Sequence, residues 1–169
     1  EVEEMFAAFD QSSEAGDKEA LRDKIIIELV RHAEAEEQAV YPIVRKVIDN
    51  GDQIIEHEID EHSQAERIMK ELDRMKAGDP QFGVLMQQLM ASIRQHIQEE
   101  ESEVFPQFRD KVDASELKSL GKTVQALKKV LPTHPHPMAP DHPPFNALLS
   151  PGAALVDRVR DLLSDRAKQ

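Results

Sequence analysis

No cysteine occurs anywhere in the 169 residues, which removes disulfides, zinc ribbons, iron–sulfur clusters and thiol catalysis together. Any metal bound by this chain must therefore be held by imidazole and carboxylate. No apolar run approaches the ~20 residues that a membrane span requires, and no secretory apolar segment is visible. A membrane partner is not expected, and the expected location is the cytoplasm. Basic residues are scarce as well: 21 Lys and Arg stand against 33 Asp and Glu, a net charge of −12. A field of that sign repels phosphate backbones and anionic lipid, so nucleic acid is not an expected partner either. What remains, 40% hydrophobic residues in a chain of this length, fits a globular protein with a real core.

One stretch occurs twice and organises the rest. His32-Ala33-Glu34-Ala35-Glu36-Glu37-Gln38-Ala39-Val40-Tyr41-Pro42 and His96-Ile97-Gln98-Glu99-Glu100-Glu101-Ser102-Glu103-Val104-Phe105-Pro106 both read His-x-x-x-Glu-Glu-x-x-Val-aromatic-Pro. On a helix, His and the Glu four places later share one face with Cβ atoms roughly 6 Å apart, so one metal ion can bind both. A single His-x-x-x-Glu is usually a solvated pair. Two copies with matching flanks, at the same offset from His32 to His96 and from Pro42 to Pro106, indicate two related helical hairpins.

The spacing of apolar residues predicts an all-α chain. Val2, Phe6 and Phe9 make a first stripe, and Ser12, Ser13 and Gly16 read as a loop. A second helix is expected to open at Asp17 and to carry Leu21, Ile25, Leu29, Val40, Ile43 and Val47 past a kink at Pro42, with His32 and Glu36 pointing into the core. A third runs from Asn50-Gly51-Asp52 to about Ala77, stopped by Gly78-Asp79-Pro80, with Ile54, Ala65, Ile68, Met69 and Leu72 buried. Glu58, Glu61 and His62 fall at or inside that apolar stripe. His57 lies ~140° from His62 on an α-helix and is expected to face elsewhere. The fourth helix holds His96 and Glu100 among Phe82, Leu85, Leu89, Ile93, Ile97 and Val104. Asp113-Ala114-Ser115-Glu116 reads as the capping box of a fifth helix with Leu117, Leu120, Val124, Leu127 and Leu131. Residues 1–131 are thus expected to form a bundle with its fifth helix. Residues 132–169 are expected to form a connector, rich in proline and carrying His134, His136 and His142, and a C-terminal helix after Ser150-Pro151 that packs on the bundle.

Carboxylates and imidazoles on core stripes cost several kcal/mol each through lost solvation, and a metal ion removes that cost. Bundle interiors are where helical proteins build such sites. By ligand type, iron, manganese or zinc is suited, and a His-x-x-x-Glu on each of two helices makes two ions the natural count.

On these residues the chain resembles the hemerythrin-like proteins with the HHE cation-binding domain, whose pattern is His, His-x-x-x-Glu, His, His-x-x-x-Glu across an up-down four-helix bundle. The resemblance spans roughly residues 1–112. It implies His32 and Glu36 as the first ligand pair, His96 and Glu100 as the second, and His62 as the lone histidine of the third helix. Glu58 and Glu61 are left either as extra ligands or as partners fixing the His62 tautomer. Tyr41 is read as packing at the kink, with a phenolate ligand as the alternative, and His57 as a lesser metal candidate. The resemblance also implies two iron ions with an oxo or hydroxo bridge, and a small diatomic or peroxide as the ligand handled. Several classes then stay open, because they share the same ligands: a reversible O2 binder, an iron or oxygen sensor or store without turnover, and an enzyme that disproportionates peroxide or reduces nitric oxide. A non-metal interaction bundle with structural carboxylates is the remaining reading. The absence of cysteine speaks against thiol-coupled iron repair.

The lone histidine of the first helix has no match in the chain. Aligning the two hairpins places it two residues before Glu1, so the natural sequence is expected to continue upstream with Asp-His or Glu-His. An upstream sequence without that histidine defeats the expectation.

Overall fold

A computed structural model describes residues 2–131, and every regular element in that range is helical. Helix α1 (Val2–Gln11) buries Phe6 and Phe9 against α2 (Ala15–Ala35) and against Phe82, whose ring centroid lies 6.1 Å from that of Phe9. After one π-helical turn (Glu36–Val40), α2 continues as α3 (Tyr41–Val47). The chain returns through α4 (Gly51–Leu72) and runs back through α5 (Phe82–Glu99), a second π turn (Glu100–Val104) and α6 (Phe105–Lys111). The rods α1, α2–α3, α4 and α5–α6 form the bundle, and α7 (Ala114–Lys128) packs on α2 and its π turn. His134, His136, His142 and the helix expected after Ser150 lie outside the described residues.

The π turns correct the single period read from the sequence. Tyr41 N–H bonds to Glu36 O and Phe105 N–H to Glu100 O, each reaching back five residues. One extra residue per turn is thereby accommodated, and everything after it rotates. The buried residues beyond the first π turn are accordingly Tyr41, Val44 and Ile48, each one place later than the expected Val40, Ile43 and Val47. Pro42 and Pro106 sit in the first turns of α3 and α6, where a missing N–H does no harm.

Three boundaries also differ. The second helix opens at Ala15, after Glu14 in extended backbone, and Asp17 falls in its first turn, where it favours the dipole. On α4 the buried face runs through Ile55 and Ile59 rather than Ile54, and the helix stops at Leu72, short of Ala77. Its end is held from outside: the buried Arg22 guanidinium donates to Leu72 O at 2.8 Å and Met75 O at 2.6 Å, satisfying carbonyls that a longer helix would have used. Asp113 has the backbone of an N-cap, as expected, but its side chain makes no capping hydrogen bond.

The turn before α4 is set by close approach. Asn50 takes the left-handed conformation (φ 60°) and Gly51 follows, where a Cβ would meet Val44 O at 2.7 Å. The result is a bundle with two apolar cores. Phe6, Ile25, Leu72, Met86 and Leu89 belong to one, and Tyr41, Val44, Ile55, Val104 and Phe108 to the other. On α2, α4 and α5 alike, the titratable residues fall between the two. Ala35, Leu127 and Leu131 join α7 to the flank of this middle layer.

Replacing Arg22 with Met leaves two carbonyls without their charged donor, and the expected loss is about 2 kcal/mol in urea unfolding. An unchanged midpoint would show that Arg22 does not hold the end of α4.

Candidate metal centre

Helical spacing brings His32 and Glu36 to one side of the α2–α3 rod, with Nε2 3.1 Å from Oε1. From the α5–α6 rod His96 and Glu100 enter in the same way, Nε2 to Oε2 at 3.7 Å. Helix α4 supplies His62 between them, its Nε2 3.2 Å from His96 Nε2 and 3.7 Å from Glu36 Oε2. Two overlapping sets of donor atoms result, His32/Glu36/Glu100 and Glu36/His62/His96, each with all its atoms within 4.8 Å of one another and with Glu36 common to both. A cavity of about 290 Å³ opens beside them, lined by His32, His62, His96 and Glu100 together with apolar residues such as Leu29, Met69 and Ile93.

Carboxylates behind the rings set the tautomers. Glu37 Oε1 lies 3.1 Å from His62 Nδ1, and Glu61 Oε2 lies 2.9 Å from His96 Nδ1. A carboxylate only accepts, so both rings place N–H at Nδ1 and turn Nε2 inward. Here the expectation for Glu61 is corrected. It orients His96 rather than its neighbour His62, because adjacent residues on a helix point ~100° apart and Glu61 faces α5. Glu37 takes the role towards His62 and was not singled out in the sequence. The available signal was the second Glu of the repeated Glu-Glu, and His62 on the facing α4 is what it meets.

Burial is the main force on the titrations. It lowers His62 to about 3, helped by the adjacent His96 charge, and lowers His32 too, although 36% of that side chain remains open. Burial also raises Glu36, with the nearby Glu100 adding to the shift, and it raises Glu100. His96 goes the other way. Burial pulls it down, but the carboxylates of Glu58, Glu100 and Glu61 outweigh that and carry it up to about 9. A protonated His96 Nε2 thus donates to the neutral His62 Nε2, and a single proton stands between two nitrogens that turn towards the same point. Tyr41 stacks on His62 with its hydroxyl 3.3 Å from Nε2, and burial among carboxylates raises its pKa, keeping it a phenol.

Among the described residues, two buried carboxylate oxygens take no hydrogen bond. Glu36 Oε2 is one, and Glu58 Oε2 the other: it lies 3.1 Å from His96 Nδ1, whose single N–H is given to Glu61. Glu58, Glu61 and His96 also bring donor atoms within 4.8 Å of one another. His57 stands apart, on the outer side of α4, with Nε2 3.1 Å from Glu99 Oε2.

The match to known proteins follows the same residues. The model of the hemerythrin HHE cation-binding domain matches residues 1–108. The chain belongs to the hemerythrin family. A hemerythrin-like protein of Schizosaccharomyces pombe is 32% identical over 143 residues, covering 84% of this chain and 70% of its own. A DNA nickase of Nostoc sp. is 27% identical over 124 residues, 73% of this chain and 35% of the nickase, most of which therefore lies beyond the match. No solved structure matches the chain. Membership of a cation-binding family agrees with the donor set in this hemerythrin domain, which is rich in His and Glu and surrounds unpaired buried oxygens. No helix among the described residues is long and apolar enough to cross a membrane.

A cation entering this hemerythrin site must displace the His96 proton and any proton retained by Glu36 or Glu100, whereas His32 and His62 are already neutral. Uptake at pH 7 is expected to release roughly two protons per chain, and affinity should rise with pH until His96 deprotonates near 9. Calorimetry in buffers of different ionisation enthalpy measures the count. Uptake without proton release would contradict the protonation states above.

Proposed function

We propose that the layer between the two cores is a non-haem di-iron centre that takes a small diatomic or peroxide ligand. The observation that carries this reading is the pair of donor sets sharing Glu36, set against a mostly apolar cavity. His32, Glu36, His62, His96 and Glu100 are the proposed ligands, with Glu58, whose Oε2 lies 3.1 Å from His96 Nδ1, in reserve. The residues fit the group chemically. Imidazole and carboxylate without sulfur suit iron, with manganese or zinc as substitutes, and unpaired buried carboxylate oxygens are what a cation satisfies. Bound iron supplies the redox change that O2, peroxide or nitric oxide chemistry requires.

The remaining work falls to the chain. Glu37 and Glu61 hold His62 and His96 in the tautomer that presents Nε2. The Tyr41 hydroxyl stands near His62 Nε2 and is positioned to donate a hydrogen bond to a ligand in that corner. Leu29, Met69 and Ile93 give the cavity an apolar wall, while the ion pair of Lys128 with Glu28 at 2.7 Å stands at its edge. Turnover of peroxide or nitric oxide is the preferred activity, and a sensor or store without turnover is the second reading, favoured by the same enclosed donors. The nickase activity in the name of the Nostoc protein is not carried over, since the net charge of −12 opposes a nucleic-acid surface.

The purified chain is expected to contain iron, and chelation should lower its melting midpoint by several degrees, as for loss of a few kcal/mol of ligand linkage. Identical curves for apo and iron-loaded protein would sink the metal reading. To separate the classes, the protein is reduced without oxygen, exposed to O2 and followed in the near-ultraviolet and visible, and the oxidised form is then given peroxide. Sustained oxygen release, abolished by His96→Ala or Glu100→Ala, marks peroxide turnover. A long-lived band that bleaches under vacuum marks reversible binding.

A further inference from the structure

Helix α7 lies beyond the residues matched to the hemerythrin domain, and yet it supplies part of the wall of the inner cavity. Its contribution is Lys128. From α2, Glu28 lines the same cavity one turn before His32, and Lys128 Nζ donates to Glu28 Oε1 at 2.7 Å. The pair is partly enclosed, with 20% of the Lys128 side chain and 25% of the Glu28 side chain open, whereas a common surface pair stands in bulk water. Holding α7 in place does not require it. Leu127, fully buried, already docks α7 on Ala35, and Leu131 adds to that contact. The way into the donor layer is on the side where the pair stands: 36% of the His32 side chain is exposed, against 9% or less for Glu36, His62, His96 and Glu100. Burial first and the Lys128 charge second lower the His32 pKa, which places the ammonium on this same side.

We propose that the Lys128–Glu28 pair determines which ligands reach the cavity: drawn across its His32 side, it passes molecules of diatomic or peroxide size and holds back larger ones. This rests on the reading of the middle layer as a centre for such ligands. At about 290 Å³ the cavity has room for molecules well beyond that size, so selection by size falls to the entrance. A lysine suits the task. Its flexible four-carbon stem turns aside for a small ligand while Leu127 keeps α7 seated, and the short contact to Glu28 draws it back.

Tyr41 is the sole tyrosine of a chain without tryptophan, and it is buried and stacks on His62, which lines the cavity. Its fluorescence in the metal-free full chain therefore reports what reaches the inner layer. Quenching by molecular oxygen under pressure and by acrylamide is compared in the unmodified chain, Lys128→Ala, Glu28→Ala and, as a control, Lys129→Ala, which alters an exposed residue at the end of the same helix. Circular dichroism confirms that each is folded. Oxygen is expected to quench all four alike, and acrylamide to quench Lys128→Ala and Glu28→Ala severalfold more than the unmodified chain or the control. Acrylamide quenching that is unchanged in both of these variants, or raised as much in Lys129→Ala, overturns the proposal. Iron content of the same four proteins tests the underlying reading separately. A selective rise in acrylamide quenching without iron binding leaves the entrance as described, and the metal centre is then the reading that fails.

Discussion

Glu36 and Glu100 enter the bundle from opposite rods and are both closed off from water. Moving one carboxylate into such surroundings costs several kcal/mol, and a second nearby raises the cost further. The rest of the middle layer answers that constraint. His96 stays protonated among acids that outweigh its own burial, and its charge in turn keeps His62 neutral. Glu37 and Glu61 approach from behind the rings, so that the nitrogens turned inward are the ones free to meet the buried acids. Even so, Glu36 Oε2 and Glu58 Oε2 have no hydrogen-bond donor. The protein alone does not balance this layer, and membership of a cation-binding family names the class of species that does.

Much of this was legible because the repeat carries its own check. Two His-x-x-x-Glu-Glu segments with the same aromatic-Pro ending fixed the facing rods, and apolar periodicity gave the helices around them. The π turns were hidden because a stripe read at 3.6 residues per turn tolerates a displacement of one place. Val40, Ile43 and Val47 make as good a stripe as Tyr41, Val44 and Ile48, and only the extra residue decides between them. Glu37 was hidden for another reason: it pairs with His62 on α4, a contact between rods, whereas its counterpart Glu101, in the equivalent place of the second π turn, stays exposed.

Long-range effects were the other blind spot. The end of α4 depends on Arg22, fifty residues earlier in the chain, so no local signal near Leu72 marks it. Glu61 posed a similar problem. Its neighbour His62 was the obvious partner in sequence, but a helix separates adjacent side chains, and the true partner sits on α5. The four inward residues of the repeats and His62 needed only spacing, whereas the residues that orient them needed the packing of one rod on another.

The polar layer lies between two apolar cores, and α2–α3 and α5–α6 each cross it through a π turn. Hydrophobic contact is therefore interrupted at the waist of the molecule, where the backbone hydrogen bonding is least regular. Each lobe has its own buried aromatics, Phe6, Phe9 and Phe82 in one and Tyr41 and Phe108 in the other. Apolar packing is continuous within each lobe and broken between them, so the rods and the polar layer carry the coupling of one lobe to the other. Whatever occupies the waist acts as a rivet: its charge and its bonds, more than any apolar surface, determine whether the two lobes open as one or separately.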